Sequence, residues 1–292
     1  MRDALPRDRP EQYGAAAWVL ILSLDMLPWP WGERLLALTF VLKACVQVSC
    51  LRQALRWAGA QSLSGARRWR LAMALLAHHG RALARSAIVG LRSPEAWRPY
   101  VKIRGEEHLR SARGGAILLG FHVGMPGSDI ALRVAGQHVR WLGGNRVSRG
   151  WSRPAWRPLV DGDDELEIDA GPLGGGVLRR ACRVLLAGEH VYLTADGGVG
   201  REAFRVPLPG GPLVVRAGWL ALRTHTQAPV LPVLSHREGP THVVTIHPPL
   251  PADLVSCEMI LGRLFEDYTR RFPEQCYTLA FPPPGGTTAL AA

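Results

Sequence analysis

Two apolar runs open the chain, and a strand-and-helix alternation follows them. The first run, GAAAWVLILSLDMLPWPW, is interrupted by Asp25 and ends in Pro28, Trp29, Pro30 and Trp31. The second, RLLALTFVLKACVQVSCL, carries Lys43 in its middle. Neither uninterrupted stretch reaches the roughly 20 apolar residues of a comfortable span. A tryptophan pair between them matches an interfacial belt. Three arrangements fit: a hairpin dipping into one leaflet, a single tilted anchor, or helices of the core. The basic stretch that follows (Arg52, Arg56, Arg67, Arg68, Arg70) suits a cytoplasmic membrane surface, so membrane association is expected and spanning is left open. No convincing cleavage site separates the runs, which argues against a removed signal peptide.

Beyond residue 60 the periodicities alternate. Residues 66–90 read as a helix with Leu71, Leu75 and Ile88 on its apolar face. YVKIRG (100–105) reads as a strand, EEHLRSA as a short helix, and GGAILLGF (114–121) as a strand buried on both faces. A helix over 128–136 and a strand over 139–142 come next, then a loop-like stretch over 145–172. Helix 174–188, strand 191–195, helix 212–226, strands 229–234 and 241–247 and a helix over 253–272 complete the series. The last places Leu254, Leu261, Leu264, Phe265, Tyr268 and Phe272 on one side. Such alternation predicts an α/β fold, a mixed sheet flanked by helices, preceded by an apolar membrane-associating helical segment. The expected division is 1–60 for that segment, 61–282 for the α/β domain and 283–292 for a Pro/Gly/Ala-rich tail.

Composition narrows the partners. Of 292 residues 47% are hydrophobic and 20% charged, which excludes a disordered chain. The net charge of +11 is almost all arginine, since lysine occurs only at Lys43 and Lys102. Anionic partners follow: phospholipid head groups, acidic carrier proteins or nucleotide-bearing thioesters. Nucleic acid is disfavoured, because no aromatic–basic motif appears and the apolar runs would go unexplained. The five cysteines are scattered without metal-ligand spacing, so neither a metal nor a disulfide framework is expected. The acidic stretch DGDDELEID (161–169) has leucine where a calcium loop needs glycine, and GPLGGGV (171–177) fits no nucleotide-binding spacing. No G-x-S-x-G elbow points to a serine hydrolase.

The chemistry concentrates in VKIRGEEHLRSARGGAILLGFHVGMPGSD (101–129). His122 follows a buried strand, at the carboxyl end of the sheet, where open α/β folds bind ligands. A neutral imidazole there can take a proton from an attacking hydroxyl, and a carboxylate can orient the ring. Asp129 is the nearest downstream acid.

This run resembles the first motif of the glycerolipid acyltransferase superfamily, and most closely its branch of lipid A (lauroyl-type) acyltransferases. Gly105, Glu107, His108, Leu109, Ala112, Gly115, Ile117, Leu118, Leu119, His122 and Gly124 carry the likeness. GEHVYLTADGG (188–198), the segment 204–233, IHPPL (246–250) and YTRRFPEQCYTL (268–279) continue it, so it covers about residues 66 to 280. The resemblance implies transfer of a fatty acyl group from acyl carrier protein or acyl-coenzyme A to a lipid or glycolipid hydroxyl. It implies no cofactor beyond that co-substrate, and a place on the cytoplasmic side of the inner membrane among anionic lipids. His122 is then the base and Asp129 its acid. Gly124, Arg146, Arg149, Asp196, Gly197, Arg201, Arg205 and Pro232 fall at substrate-binding positions. One departure stands out. The family's acid follows the histidine after four residues, where this chain has Gly127. Either a bulge at Met125-Pro126-Gly127 returns Asp129 to the ring, or the carboxylate is lost and the protein is a catalytically weakened or non-catalytic membrane-bound lipid-binding homologue.

Overall fold

The computed structural model describes residues 27, 31–89, 94–112, 114–142, 175–197 and 200–281. Helices α1 (Trp31–Val46), α2 (Val48–Ala60) and α3 (Gly65–Val89) precede a one-turn helix α4 (Pro94–Trp97). Then come β1 (Val101–Arg104), α5 (Glu106–Ser111), β2 (Ile117–Gly120), α6 (Ser128–Val134) and β3 (Val139–Leu142). After α7 (Gly175–Leu186) follow β4 (His190–Thr194), β5 (Glu202–Val206), β6 (Leu213–Arg216), α8 (Gly218–Thr226), β7 (Val230–Glu238) and β8 (Thr241–Ile246). Helix α9 (Leu254–Arg271) and the short α10 (Tyr277–Ala280) close the series.

Six strands form one sheet in the order β1-β8-β7-β2-β4-β3. All neighbours run parallel except the antiparallel β7–β8 pair, so the expected mixed sheet is present. Alternation along each strand divides the core in two. Ile117 and Leu119 of β2 join Val191 and Leu193 of β4 against α2, α3, α8 and α9. Leu118, Tyr192, Leu231 and Val244 face the other way, onto α6. Strands buried on both faces read as continuous apolar runs, which is how ILLG and VYL appear in the sequence. Helix α9 starts where the Asp253 carboxylate accepts the Ser256 backbone N–H at 2.7 Å.

One expected element divides. The predicted helix over 212–226 is strand β6 followed by α8, and β6 pairs antiparallel with β5, a strand absent from the expected series. The LVV of β6 is β-branched at two of three positions and buried, so packing decides over helical spacing.

The N-terminal segment is also more closely integrated than its composition suggests. The first apolar run lies outside the described residues except at Leu27 and Trp31. The second forms α1 and the start of α2, and α1 packs along α3 so tightly that a Cβ on Gly80 would lie 2.5 Å from the Leu36 carbonyl oxygen. A buried ion pair, Glu33 with Arg85 at 2.6 Å from Nε, joins the same helices. Among the described residues no helix is long and apolar enough to cross a membrane. Helix α1 nonetheless keeps an outward row at helical spacing, with Trp31, Leu35, Leu38, Leu42 and Val46 all exposed.

Three histidines are held neutral by burial. His78 is lowered to about 3 and His247 to about 4, and His242 lies well below its usual value, in each case chiefly through lost hydration. Their folded pKa values lie below the unfolded one, so the unfolded chain binds more protons as pH drops under about 6.5. Stability should therefore fall from pH 7 to pH 5, by up to about 1.4 kcal/mol per pH unit for each histidine. Thermal melts at the two pH values check this, and equal midpoints would contradict it.

Candidate active site

Register builds the site. Gly120, the last residue of β2, pairs with Thr194, the last of β4. Two residues further along each parallel strand stand His122 and Asp196, which places them opposite each other at the carboxyl end of the sheet. The His122 Nδ1 lies 2.9 Å from Asp196 Oδ1, and the His122 backbone N–H donates to Oδ2 at 2.8 Å. One carboxylate thus grips both ring and backbone of the same residue. Asp196 is buried, with 5% of its side chain exposed, whereas half of the His122 side chain is open. Asp196 is the main reason the imidazole sits above its ordinary pKa. Burial opposes the shift and the hydrogen bond adds to it. With Nδ1–H directed at the carboxylate, the neutral ring presents the Nε2 lone pair outward, and Nε2 has no partner among the described residues.

Asp129 does not take the role expected of it. The loop after His122 turns into α6 through Gly127, which has φ +83°. Asp129 lies in the first turn of that helix, where its own and the Ile130 backbone N–H groups favour its charged form. Burial pushes its carboxyl up, and Arg133, one turn later, opposes this. The Met125-Pro126-Gly127 segment therefore starts a helix instead of folding Asp129 back, and the acid on the imidazole comes from the neighbouring strand.

The loop that carries His122 is held from three directions, and one of the holding residues is itself braced. His78 Nε2 donates to the Gly124 carbonyl (3.1 Å), a polarity fixed because the ring is neutral and a carbonyl only accepts. The Gly124 N–H donates to the Gln275 carbonyl at 2.9 Å. Ser235 Oγ donates to the Met125 carbonyl at 2.8 Å, and Tyr268 Oη donates to the Ser235 carbonyl at 2.6 Å. Gly124 has φ +72°, and a Cβ there would meet the Ser235 carbonyl oxygen at 1.7 Å. Gly124→Ala should thus cost on the order of 2–4 kcal/mol and displace His122, read as a lower Tm together with lost activity. Normal activity in that variant would mean that the loop is not a positioning device.

The other expected site residues scatter more widely. Gly197, next to Asp196, accepts from Arg216 Nε at 2.9 Å, and Arg216 Nη1 also holds the Gly200 carbonyl at 3.2 Å. The Arg216 backbone N–H donates to the Ala195 carbonyl. Arg216 therefore shapes the turn bearing Asp196, a role the sequence did not single out. Arg201 is exposed, and Arg205 is exposed and paired with Glu202 at 2.8 Å. Pro232 is buried within β7 opposite Leu119, below the sheet's edge. Arg146, Arg149 and the acidic stretch 161–169 lie outside the described residues. No group of three or more His, Cys, Asp or Glu side chains among the described residues is placed to hold a metal ion. Cys50, Cys182, Cys257 and Cys276 are free thiols.

No curated protein matches the chain. A solved structure, the 1-acyl-sn-glycerophosphate (LPA) acyltransferase PlsC from Thermotoga maritima, aligns over 78% of this chain and 97% of its own. The two share 16% identity with a TM-score of 0.40. The family model described as bacterial lipid A biosynthesis acyltransferase matches residues 62–277. That match takes in both strands that deliver His122 and Asp196 and the turns that hold them, and by it the chain belongs to the bacterial lipid A biosynthesis acyltransferases, a family of enzymes that act on lipids.

Proposed function

We propose that this protein transfers a fatty acyl group from a thioester of acyl carrier protein or coenzyme A to a hydroxyl of a lipid or glycolipid, with His122 as general base. The observation that carries the reading is the exposed Nε2 of an imidazole whose Nδ1 is clamped by Asp196. In the reaction the acceptor hydroxyl gives its proton to Nε2 as its oxygen bonds to the thioester carbonyl carbon. The tetrahedral oxyanion then collapses, the C–S bond breaks, and the thiolate takes the proton back from the imidazolium. Asp196 keeps the ring in the required tautomer and stabilises its charged form, a task for which a buried, twice-bonded carboxylate is suited. Atoms and charge balance without a cofactor.

The reading as a weakened, non-catalytic homologue rested on the missing acid at Gly127. A carboxylate on the ring, though from another strand, removes that premise. Gly197, beside Asp196, has open space where a side chain would stand and lets substrate approach closely, whereas Gly124 is packed against the Ser235 carbonyl and serves to position the His122 loop. Arg146, Arg149, Arg201 and Arg205 remain candidates for anionic groups of donor or acceptor.

Attachment to the cytoplasmic face of the inner membrane fits the exposed row of α1 together with the exposed Arg52, Arg56, Arg67 and Arg70 and the exposed Trp69. An apolar ridge with adjacent guanidinium groups lies in an interface and attracts anionic lipid. Purified protein incubated with bacterial lipid extract and either thioester tests the function. Mass spectrometry should find a lipid heavier by one acyl unit. Thioester hydrolysis alone, with no acylated lipid from either donor, would refute it.

A further inference from the structure

Strand β4 ends at Thr194, and the Ala195 N–H then gives the sheet one more bond, to the Gly120 carbonyl at 2.9 Å. Asp196 stands just beyond that ladder, where no neighbouring strand fixes the backbone. Yet its clamp on His122 needs both carboxylate oxygens in place, at 2.8 and 2.9 Å. The turn that carries it must be held from outside the sheet.

The carbonyls of Ala195, Gly197, Gly200 and Arg201 are all taken by Arg216 and Ala217, where β6 passes into α8. Arg216 accounts for three of them. Its backbone N–H donates to Ala195 at 2.6 Å, its Nε to Gly197 at 2.9 Å and its Nη1 to Gly200 at 3.2 Å. The Ala217 N–H donates to Arg201 at 2.8 Å. The turn is wrapped around one side chain.

Arg216 is placed to hold without yielding. Val215 before it and Trp219 after it are fully buried, so its backbone is fixed in the core. A guanidinium is planar and sets its donors at a constant separation, which lets one group span two carbonyls. Glu202 lies opposite Arg216 in the hairpin register and is the carboxylate that could draw it away. Arg205 already holds both Glu202 oxygens, at 2.8 and 3.1 Å. Arg216 is thereby left to the turn.

We propose that Arg216 is a positioning residue of the reaction, whose fork fixes the Asp196 turn so that Asp196 can hold the His122 ring in its working orientation. It acts through Asp196, without touching the reacting atoms. Its catalytic meaning rests on the acyltransfer reading; its effect on the ring does not. Misplacing a reacting group by about 1 Å can cost on the order of 10²-fold in rate, so a strap on this turn matters.

Arg216→Gln keeps a polar side chain but neither the charge nor the fork. Its kcat should fall about tenfold to a hundredfold while KM changes little. The His122 pKa, read by NMR of ¹⁵N-labelled histidine, should fall toward its ordinary value, and the acid limb of the pH–rate profile should follow. Asp196 is the charged group that raises this pKa, and its contact loosens with the turn. The direction is diagnostic. Removing a positive charge near the ring would by itself raise the imidazole pKa, so a fall identifies a displaced Asp196. Arg216→Lys keeps the charge without the fork and should recover little of either readout. Arg263→Gln, at an exposed position of α9, should change neither. An unmoved or raised His122 pKa in Arg216→Gln, or full recovery in Arg216→Lys, would overturn the proposal. If Arg216→Gln melts early, Arg216→Lys carries both readouts. A His122 pKa that falls in Arg216→Gln, in a protein whose wild type acylates no lipid, would sink the acyltransfer reading and leave the strap standing.

Discussion

Replacing His122 by alanine is expected to lower acyl transfer by on the order of 10²- to 10⁴-fold, the usual share of a positioned general base. The fold should survive, because half of the side chain is solvent-exposed and its one side-chain bond is to Asp196. The substitution removes the atom that, among the described residues at the sheet's edge, combines an open lone pair with a carboxylate behind it. Binding of lipid and thioester should persist, so kcat falls and KM moves little. Turnover measured against thioester consumption checks this, with the Tm as a control for folding. A variant that keeps its turnover would mean that the proton leaves through another group.

The second large effect concerns Asp196, and it separates the carboxylate that the structure places on the imidazole from Asp129, the acid that the sequence led one to expect. Asp196→Asn keeps the shape but removes the charge and lets the amide present N–H to Nδ1, which favours the wrong tautomer. Activity should fall by on the order of 10²-fold or more, since the ring loses both its orientation and the stabilisation of its cation. A pH signature accompanies the loss. Asp196 raises the His122 pKa, and the base works only when neutral, so activity declines as pH drops through that raised value. Without the charge the acid limb should move to lower pH. Asp129→Asn makes the opposite pattern. It perturbs a helix start and its Arg133 neighbour, so the Tm changes while the acid limb stays in place. A displaced limb in Asp129→Asn, with none in Asp196→Asn, would reverse the assignment.

Much of the architecture was legible because both sheet faces are buried. Strands such as ILLG and VYL cannot hide among amphipathic helices when every residue is apolar. The long helices α3, α7 and α9 announced themselves by period. Strands β5 and β6 did not, because each is only four or five residues long and β6 runs into α8 with one residue between them. In the site, His122 was readable from the strand before it. Asp196 was readable as a site residue but not as the acid. Its closeness to His122 depends on the register Gly120↔Thr194, a distance of 74 positions in sequence that no local pattern encodes. Proximity in sequence favoured Asp129, and the αL turn at Gly127 defeated it. The supports at His78, Ser235, Tyr268 and Gln275 are ordinary residues in helices, a strand and a turn, visible only when the chain brings them to Gly124 and Met125.

The central claim is tested most directly by titrating the His122 imidazole itself. Selective ¹⁵N labelling of histidine, with His122→Ala to assign the signal, gives its pKa and tautomer in wild type and in Asp196→Asn. The account predicts a neutral ring protonated at Nδ1, a pKa above the ordinary 6.5, and a fall of that pKa when the Asp196 charge is removed. A ring protonated at Nε2 when neutral, or a pKa indifferent to Asp196, would contradict it.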